Sequence, residues 1–169
     1  PGGAAGMAAV MHPLRSMGAK LKITYGSPES DRVRGEITSF ARAASAIYKL
    51  SHSRVGIFGY ADMGSYTAAF DQTSLRSKLG VEVEDYEVHR LLSRADEVDD
   101  EDADEFIIKK LAEWTVDENV AKEDLRKAIK VYLALERIVD ERKFNAVSMK
   151  CVYGLPIYYG ITPCVPLAL

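Results

Sequence analysis

Closely spaced glycines surround a short apolar run, and such glycines are able to cradle a phosphate group. Gly56, Gly59 and Gly64 lie in or just after this run, which spans residues 54–59. Their spacing does not match G-x-G-x-x-G, and the run lacks the Lys-Ser/Thr pair of a P-loop. We therefore expect the glycines to permit a tight turn and close packing, and nucleotide binding is the weaker alternative.

The histidines and the serine of the following loop give little support for catalysis. No histidine has a second metal ligand at helical spacing. We therefore expect each histidine to lie at the surface or to form hydrogen bonds with neighbouring groups. Ser65 lies outside the G-x-S-x-G pattern of a nucleophile elbow, which argues against a serine hydrolase. The three histidines are His12, His52 and His89.

The two cysteines, Cys151 and Cys164, are separated by twelve residues. This spacing fits neither a zinc ribbon nor a CxxC redox motif, so we expect two small apolar side chains in a reducing cytosol. Residues 1–11 are small and apolar but lack the charged n-region of a secretory signal. Both observations favour a cytoplasmic protein.

The overall composition excludes several classes of protein. Of the 169 residues, 47% are apolar and 28% charged, and the net charge is −3. These values are typical of a globular domain and not of a disordered chain. No stretch approaches the ~18 uncharged apolar residues that a membrane span needs. The balanced charge gives no basis for nucleic-acid binding, so we expect neither a membrane nor a nucleic acid as partner.

Negative charge is concentrated in the middle of the chain. Residues 96–105 include eight carboxylates, and residues 82–105 contain twelve acidic and two basic side chains, a balance of −10. The rest of the chain has a balance of +7. We expect a solvated linker that leads into a helix, because acidic residues are favoured at a helix N-terminus. A calcium loop is the weaker alternative, since the D-x-D-x-D-G frame is missing.

The elements that must position these residues begin with a predicted helix–strand–helix order. Residues 3–17 favour a helix interrupted near Pro13, and the alternation in residues 20–25 predicts a strand. Ser27 is the predicted N-cap of the next helix, with Pro28 at its first position. That helix ends near residues 51–53, and its apolar stripe predicts packing against a sheet. The stripe consists of Val33, Ile37, Phe40, Ala41, Ala44, Ile47 and Tyr48.

The remainder of the chain continues the alternation. We predict strands over residues 54–59, 81–85 and 145–152, and an irregular aromatic loop over 154–160. The predicted helices cover residues 72–79 with Gly80 as C-cap, residues 86–94, a segment around Phe106–Trp114, residues 122–142, and the chain from Pro163 onward.

This alternation predicts a three-layer, Rossmann-like α/β domain with a mainly parallel sheet. We divide it into residues 1–95, an acidic linker at 96–105, and residues 106–169, which hold helices, a strand and the start of a further segment. Ligands of such sheets lie beyond the carboxyl ends of the strands. The loops 59–66 and 152–160 are therefore the candidate site.

Three strings, taken in order, resemble the second domain of the L-fucose isomerase and L-arabinose isomerase-like superfamily. The first is RVGIFG at residues 54–59 followed by DMGSY at 62–66. The second is LGVEV at 79–83, ahead of the acidic segment. The third is FNAVSMKC at 144–151, which leads to the Pro-Cys pair at 163–164. The resemblance extends over residues 20–169.

This resemblance implies a cytosolic enzyme that interconverts an aldose and a ketose through an enediol. Carboxylates then act as acid and base, and a divalent metal, usually manganese, polarises the sugar oxygens. The implied partners are a sugar, the remaining domains of the same polypeptide, and further copies in a homo-oligomer. Met63 corresponds to a loop that borders the substrate, and Lys150 and Cys151 mark the nearby end of a strand. These three are the expected substrate-binding residues.

The resemblance also implies that essential groups lie outside this sequence. The family's metal ligands (a Glu, an Asp and a His) would follow Leu169, so we expect no catalytic residue, no bound metal and no activity in this segment alone. Val152 stands where a Gln is common and Gly154 where a Glu is common, and both departures weaken sugar contact. The apolar, uncapped end of the chain also suggests a fragment of a longer protein.

A second class of function stays open. The chain could instead be a non-catalytic α/β module that binds a sugar or supports assembly. The sequence that follows the segment discriminates between the two, because the enzyme requires the missing metal ligands there.

Overall fold

The sheet of this protein is formed by three parallel strands. In the computed structural model, which describes residues 3–60 and 66–169, the strands are β1 (Arg54–Phe58), β2 (Glu82–Tyr86) and β3 (Ala146–Met149). Their order is β2-β1-β3, so β1 lies in the centre and pairs with both neighbours. The predicted α/β class with a parallel sheet is confirmed.

The helices make up most of the described chain, which divides into two units, Pro1–Lys49 and Leu50–Leu169. A short 3-10 helix (Tyr66–Ala68) precedes α3. The α-helices are α1 (Gly3–Ser16), α2 (Asp31–Ser51), α3 (Gln72–Leu79), α4 (Val88–Asp96), α5 (Asp100–Lys110), α6 (Lys122–Arg142), α7 (Gly154–Tyr159) and α8 (Cys164–Ala168).

The core of the second unit lies between the sheet and α6. Phe58 at the end of β1, Leu91 of α4, Ile138 of α6 and Leu155 of α7 are all fully buried in one cluster. Aromatic contacts join the strands, since the rings of Phe58 and Tyr86 have centroids 5.0 Å apart. Helix α6 packs against α4, α5 and α8 and so joins four helices of this unit.

The first unit departs from the sequence predictions in three ways. The helix α1 runs without interruption through Pro13. Residues 20–25 form no strand, because alternation alone supplies no partner for the backbone groups of an isolated strand. The next helix begins at Asp31 and not after Ser27: the Ser27 hydroxyl accepts from the Glu29 amide (3.2 Å), while the Ser30 carbonyl accepts the first helical bond, from Arg34 (2.9 Å).

The apolar stripe of α2 is also largely uncovered. Only Val33 is buried on this helix. Ile47 and Tyr48 keep 66% and 65% of their surface exposed, and the packing of the stripe against a sheet stays a prediction.

The second unit follows most of the predictions, but α5 begins at Asp100, six residues before the predicted Phe106, and ends at Lys110 and not at Trp114. The three strands and the helices α3, α6 and α8 form where the sequence predicts them, within a few residues. Gly80 ends α3 in the left-handed conformation (φ 77°), and its amide donates to the Arg76 carbonyl (2.8 Å). The segment expected to be an irregular aromatic loop is instead the helix α7, which Gly160 ends in the same manner.

The acidic segment is organised by its basic neighbours. Its second half forms the start of α5, where Asp104 accepts two hydrogen bonds from Arg126 of α6 (2.8 and 2.9 Å). Asp100 pairs with Lys130 (2.6 Å). Helix α5 and helix α6 are thus joined by ion pairs as well as by apolar contacts.

Candidate functional site

The carboxyl ends of the three strands meet at one edge of the sheet. Phe58, the last residue of β1, is in register with Tyr86 of β2 and Met149 of β3. The residue that follows each strand therefore lies at this edge. A crevice of about 550 Å³ opens there, lined by Gly59, Glu87, Val88, His89, Leu92, Asp96, Lys150, Gly154, Tyr158 and Tyr159.

Gly59 shapes the floor of the crevice. Its φ is 88°, a conformation that side chains rarely adopt, and its amide donates to the Tyr86 carbonyl (3.2 Å). A Cβ at this position would lie 2.8 Å from Cγ2 of Val88 and 3.0 Å from Cβ of Lys150. The glycine therefore allows all three loops to approach one another, as expected from a tight turn.

Lys150 supplies a positive charge to the crevice. Its backbone amide donates to the Phe58 carbonyl (2.8 Å), which fixes the residue beside β1. The side chain is half-buried, and its ammonium nitrogen lies 5.8 Å from the centroid of the Tyr153 ring. Among the described residues Lys150 forms no ion pair, so its ammonium group can donate to a ligand.

A tyrosine–aspartate pair also lines the crevice. The hydroxyl of Tyr159 donates to Oδ1 of Asp96 (2.9 Å). Burial, together with the adjacent carboxylate, raises the pKa of Tyr159 well above its ordinary value. The phenol therefore stays protonated, and the pair joins α7 to the end of α4.

Glu87 and His89 complete the polar lining. Both are exposed, and Glu87 is the N-cap residue of α4 although its side chain makes no capping bond. Sequence reasoning did not single out Glu87, and it placed His89 among ordinary surface histidines. Glu87 comes two residues after the end of the predicted strand 81–85, and positions just beyond a parallel strand gather at the carboxyl edge of a sheet.

Comparison with known proteins places the chain in a family. Residues 62–156 match the family model described as the L-arabinose isomerase central domain. The match covers more than half of the chain. The chain belongs to the L-arabinose isomerase central-domain family. The resemblance carried by the three strings is thereby confirmed.

Two curated relatives share this part of their sequence with the chain. An L-arabinose isomerase from Acidothermus cellulolyticus is 28% identical over 132 residues, which is 75% of this chain and 26% of the relative. A sulfoquinovose isomerase from Clostridium sp. (strain MSTE9) is 25% identical over 160 residues, which is 92% of this chain and 35% of the relative. The chain thus spans between about a quarter and about a third of the length of these isomerases.

The structure of this central-domain family member brings only part of the predicted binding set together. Lys150 lines the crevice, whereas Cys151 is exposed just beyond β3 and is not among the lining residues. Met63 lies outside the described residues. Cys151 and Cys164 are both exposed and are not bonded to each other. The substrate-binding role of Met63, Lys150 and Cys151 stays a prediction.

The described residues do not fit a metal centre. Nowhere in residues 3–60 and 66–169 do three His, Cys, Asp or Glu side chains come within reach of one ion, and this applies to Glu87, His89 and Asp96 too. The acidic segment gives the calcium alternative no support for the same reason. No helix in this part of the chain is both long enough and apolar enough to cross a membrane.

Proposed function

We propose that this chain is the central domain of an aldose–ketose isomerase and that its crevice contacts the sugar. The observation that carries the proposal is the family match, combined with a crevice at the sheet edge where α/β folds bind ligands. The relatives named above are both sugar isomerases.

The lining of the crevice suits a polyhydroxylated ligand. Glu87 and Asp96 are acceptors for sugar hydroxyl groups, and the Lys150 ammonium group is a donor. Val88 and Leu92 provide apolar surface for the C–H face of a sugar ring, and Tyr158 adds an exposed aromatic ring. Few polar groups on a largely apolar wall are typical of sites that fix a small ligand's orientation.

Within the whole enzyme, the role of this domain is to bind and orient the sugar. Aldose–ketose exchange moves a proton between two neighbouring carbons through an enediol, and this requires an acid and a base at those carbons. The divalent metal of the family, usually manganese, polarises the sugar oxygens when bound. Since the described residues do not fit the metal, we assign no proton-transfer step to them, and the ligands predicted beyond Leu169 stay a prediction.

The partners follow from the same proposal. The chain would join the remaining domains of a longer polypeptide, and copies of that polypeptide would assemble in the cytoplasm. Isolated from them, the 169-residue segment would bind sugar without converting it.

The test is an isomerase assay on the native polypeptide that contains this sequence, purified from its source cells. We expect manganese-dependent interconversion of an aldose and its ketose. Lys150→Met should raise KM several-fold with a smaller effect on kcat, because it removes a binding donor and not a reacting group. Lys78→Met, on the exposed end of α3 at the opposite edge of the sheet, should leave both constants unchanged.

Two results would contradict the proposal. A native polypeptide that interconverts no aldose would favour the non-catalytic binding or assembly module. An active polypeptide in which Lys150→Met and Lys78→Met behave alike would remove the crevice from the sugar site.

A further inference from the structure

The charges of the crevice are unbalanced. Its lining contains two carboxylates, on Glu87 and Asp96, and one ammonium group, on Lys150. The crevice therefore carries a net negative charge.

Neither carboxylate forms an ion pair with a cation in the described part of the chain. Among the described residues, Glu87 forms no ion pair, and Asp96 accepts only the neutral Tyr159 hydroxyl. The bases of α6 that line a neighbouring crevice with Asp96 include Lys130, which pairs with Asp100 (2.6 Å), and Arg126, which pairs with Asp104 (2.8 Å). Both carboxylates are therefore available to act on a ligand.

Resting on the sugar-binding function proposed above, we propose that Glu87 and Asp96 are specificity residues that favour uncharged sugars over sugars carrying a sulfonate or phosphate group. A hydroxyl group donates to either carboxylate, whereas an anionic substituent has no hydrogen to donate and is repelled. Lys150 alone offsets only part of this repulsion.

The distinction between uncharged and anionic sugars matters within this family. One curated relative is named for arabinose, an uncharged sugar, and the other for sulfoquinovose, which is glucose with a sulfonate in place of the C6 hydroxyl. The two names do not decide between the classes for this chain. The crevice charge favours the uncharged class.

The experiment is calorimetric titration of the 169-residue chain with D-glucose and with sulfoquinovose, at low ionic strength. This sugar pair differs in the charged group and little else. We expect glucose to bind at least about fivefold more tightly than sulfoquinovose, since like charges repel most where salt does not screen them. Raising the salt concentration to about 0.5 M should bring the ratio of the two affinities closer to one.

Isosteric variants assign the effect to the named residues. Glu87→Gln should bring the ratio of affinities closer to one, and Asp96→Asn should do so while its amide oxygen still accepts from Tyr159. Lys150→Met should increase the preference for glucose over sulfoquinovose. Glu118→Gln, at an exposed position outside the crevice, should leave this preference unchanged.

Three results would overturn the inference: sulfoquinovose binding as tightly as glucose, a ratio that Glu87→Gln leaves unchanged, or binding of neither sugar. These outcomes are independent of the isomerase assay. If the native polypeptide is an active isomerase but Glu87→Gln leaves the ratio of glucose to sulfoquinovose affinity unchanged, only the specificity role is wrong. If the chain binds glucose selectively but the native polypeptide shows no isomerase activity, only the isomerase function is wrong.

Discussion

Gly56 shows how one residue sets the packing of the central strand. It lies in the middle of β1, where the ring of Phe144 packs directly against its backbone. A Cβ at this position would lie 2.6 Å from Cε2 of Phe144. The close approach of ring and strand therefore depends on the missing side chain, and Phe144 in turn contacts Phe58 in the core (ring centroids 6.4 Å apart).

We predict that Gly56→Ala lowers the free energy of unfolding by about 1–3 kcal/mol, because the added methyl overpacks a buried contact. Urea denaturation followed by circular dichroism measures the change. The matched control is Gly35→Ala in α2, where a Cβ would meet no atom within 4 Å, and where alanine favours the helix by about 0.5–1 kcal/mol. Equal effects of the two substitutions would contradict this account of β1.

The roles of some residues can be predicted from their neighbours in the sequence, whereas the roles of others cannot. The C-cap role of Gly80 follows from its place after an amphipathic segment, and the structure has it there. Ser27 was assigned as an N-cap on the same kind of evidence, but a turn intervenes before Asp31. Asp96 and Tyr159 are 63 positions apart, so only the folded chain reveals that they meet.

At the scale of elements, α6 is the helix on which the second unit depends. Ile138 is fully buried on it, in the cluster that includes Phe58 and Leu91. We predict that Ile138→Ala lowers the free energy of unfolding by about 2–5 kcal/mol through lost burial and a residual cavity. Ile108→Ala on α5, where the side chain is 73% exposed, should change it by less than about 0.5 kcal/mol. Comparable losses in urea denaturation would mean that α6 is not the central helix.

The ion pairs between α5 and α6 predict a loss of stability in acid. The hydrogen bond from Arg126 holds the pKa of Asp104 below its ordinary value, and Lys130 does the same for Asp100. Both carboxyls then have a lower pKa in the folded chain than in the unfolded chain. Their contribution to the free energy of unfolding is fully present above the unfolded pKa of about 4. It is lost as the pH falls through the lower pKa of the folded chain.

Thermal unfolding between about pH 3 and pH 7 measures this effect. Asp104→Asn should unfold at a lower temperature than the wild type at neutral pH, and the difference should shrink toward pH 3. Asp140→Asn, at an exposed position on α6 without an ion pair in the described structure, should track the wild type throughout. A constant difference for Asp104→Asn across the range would show that its ion pair does not cause the acid sensitivity.

Hydrophobic periodicity correctly predicts the helices and strands that bury one face, but it fails for segments that do not. The long stripe of α6 and the apolar run of β1 were readable because burial decides their residues. Residues 20–25 alternate without forming a strand, since a strand also needs a partner that no local pattern supplies. Helix α7 was missed because its six residues include Gly154 and Pro156, which are typical of loops.

At the scale of the whole molecule, the segregated charge is partly balanced across the fold. Three of the acidic residues 96–105 pair with bases of α6: Asp100, Asp104 and Asp102, the last of which lies 3.4 Å from Arg137. Glu87 and Asp96 form no such ion pair in the described structure and line the crevice. The charge imbalance is visible in the sequence, but only the fold separates the paired acids from those available to a ligand.

The measurement that tests the central claim most directly is nuclear magnetic resonance of the isotope-labelled chain during titration with L-arabinose or D-glucose. If the crevice at the carboxyl edge contacts the sugar, the amide signals of Gly59, His89, Lys150 and Gly154 should shift together and saturate. Signals that stay fixed at the crevice, or that shift only elsewhere, such as around Phe106 between α5 and α6, would contradict the account.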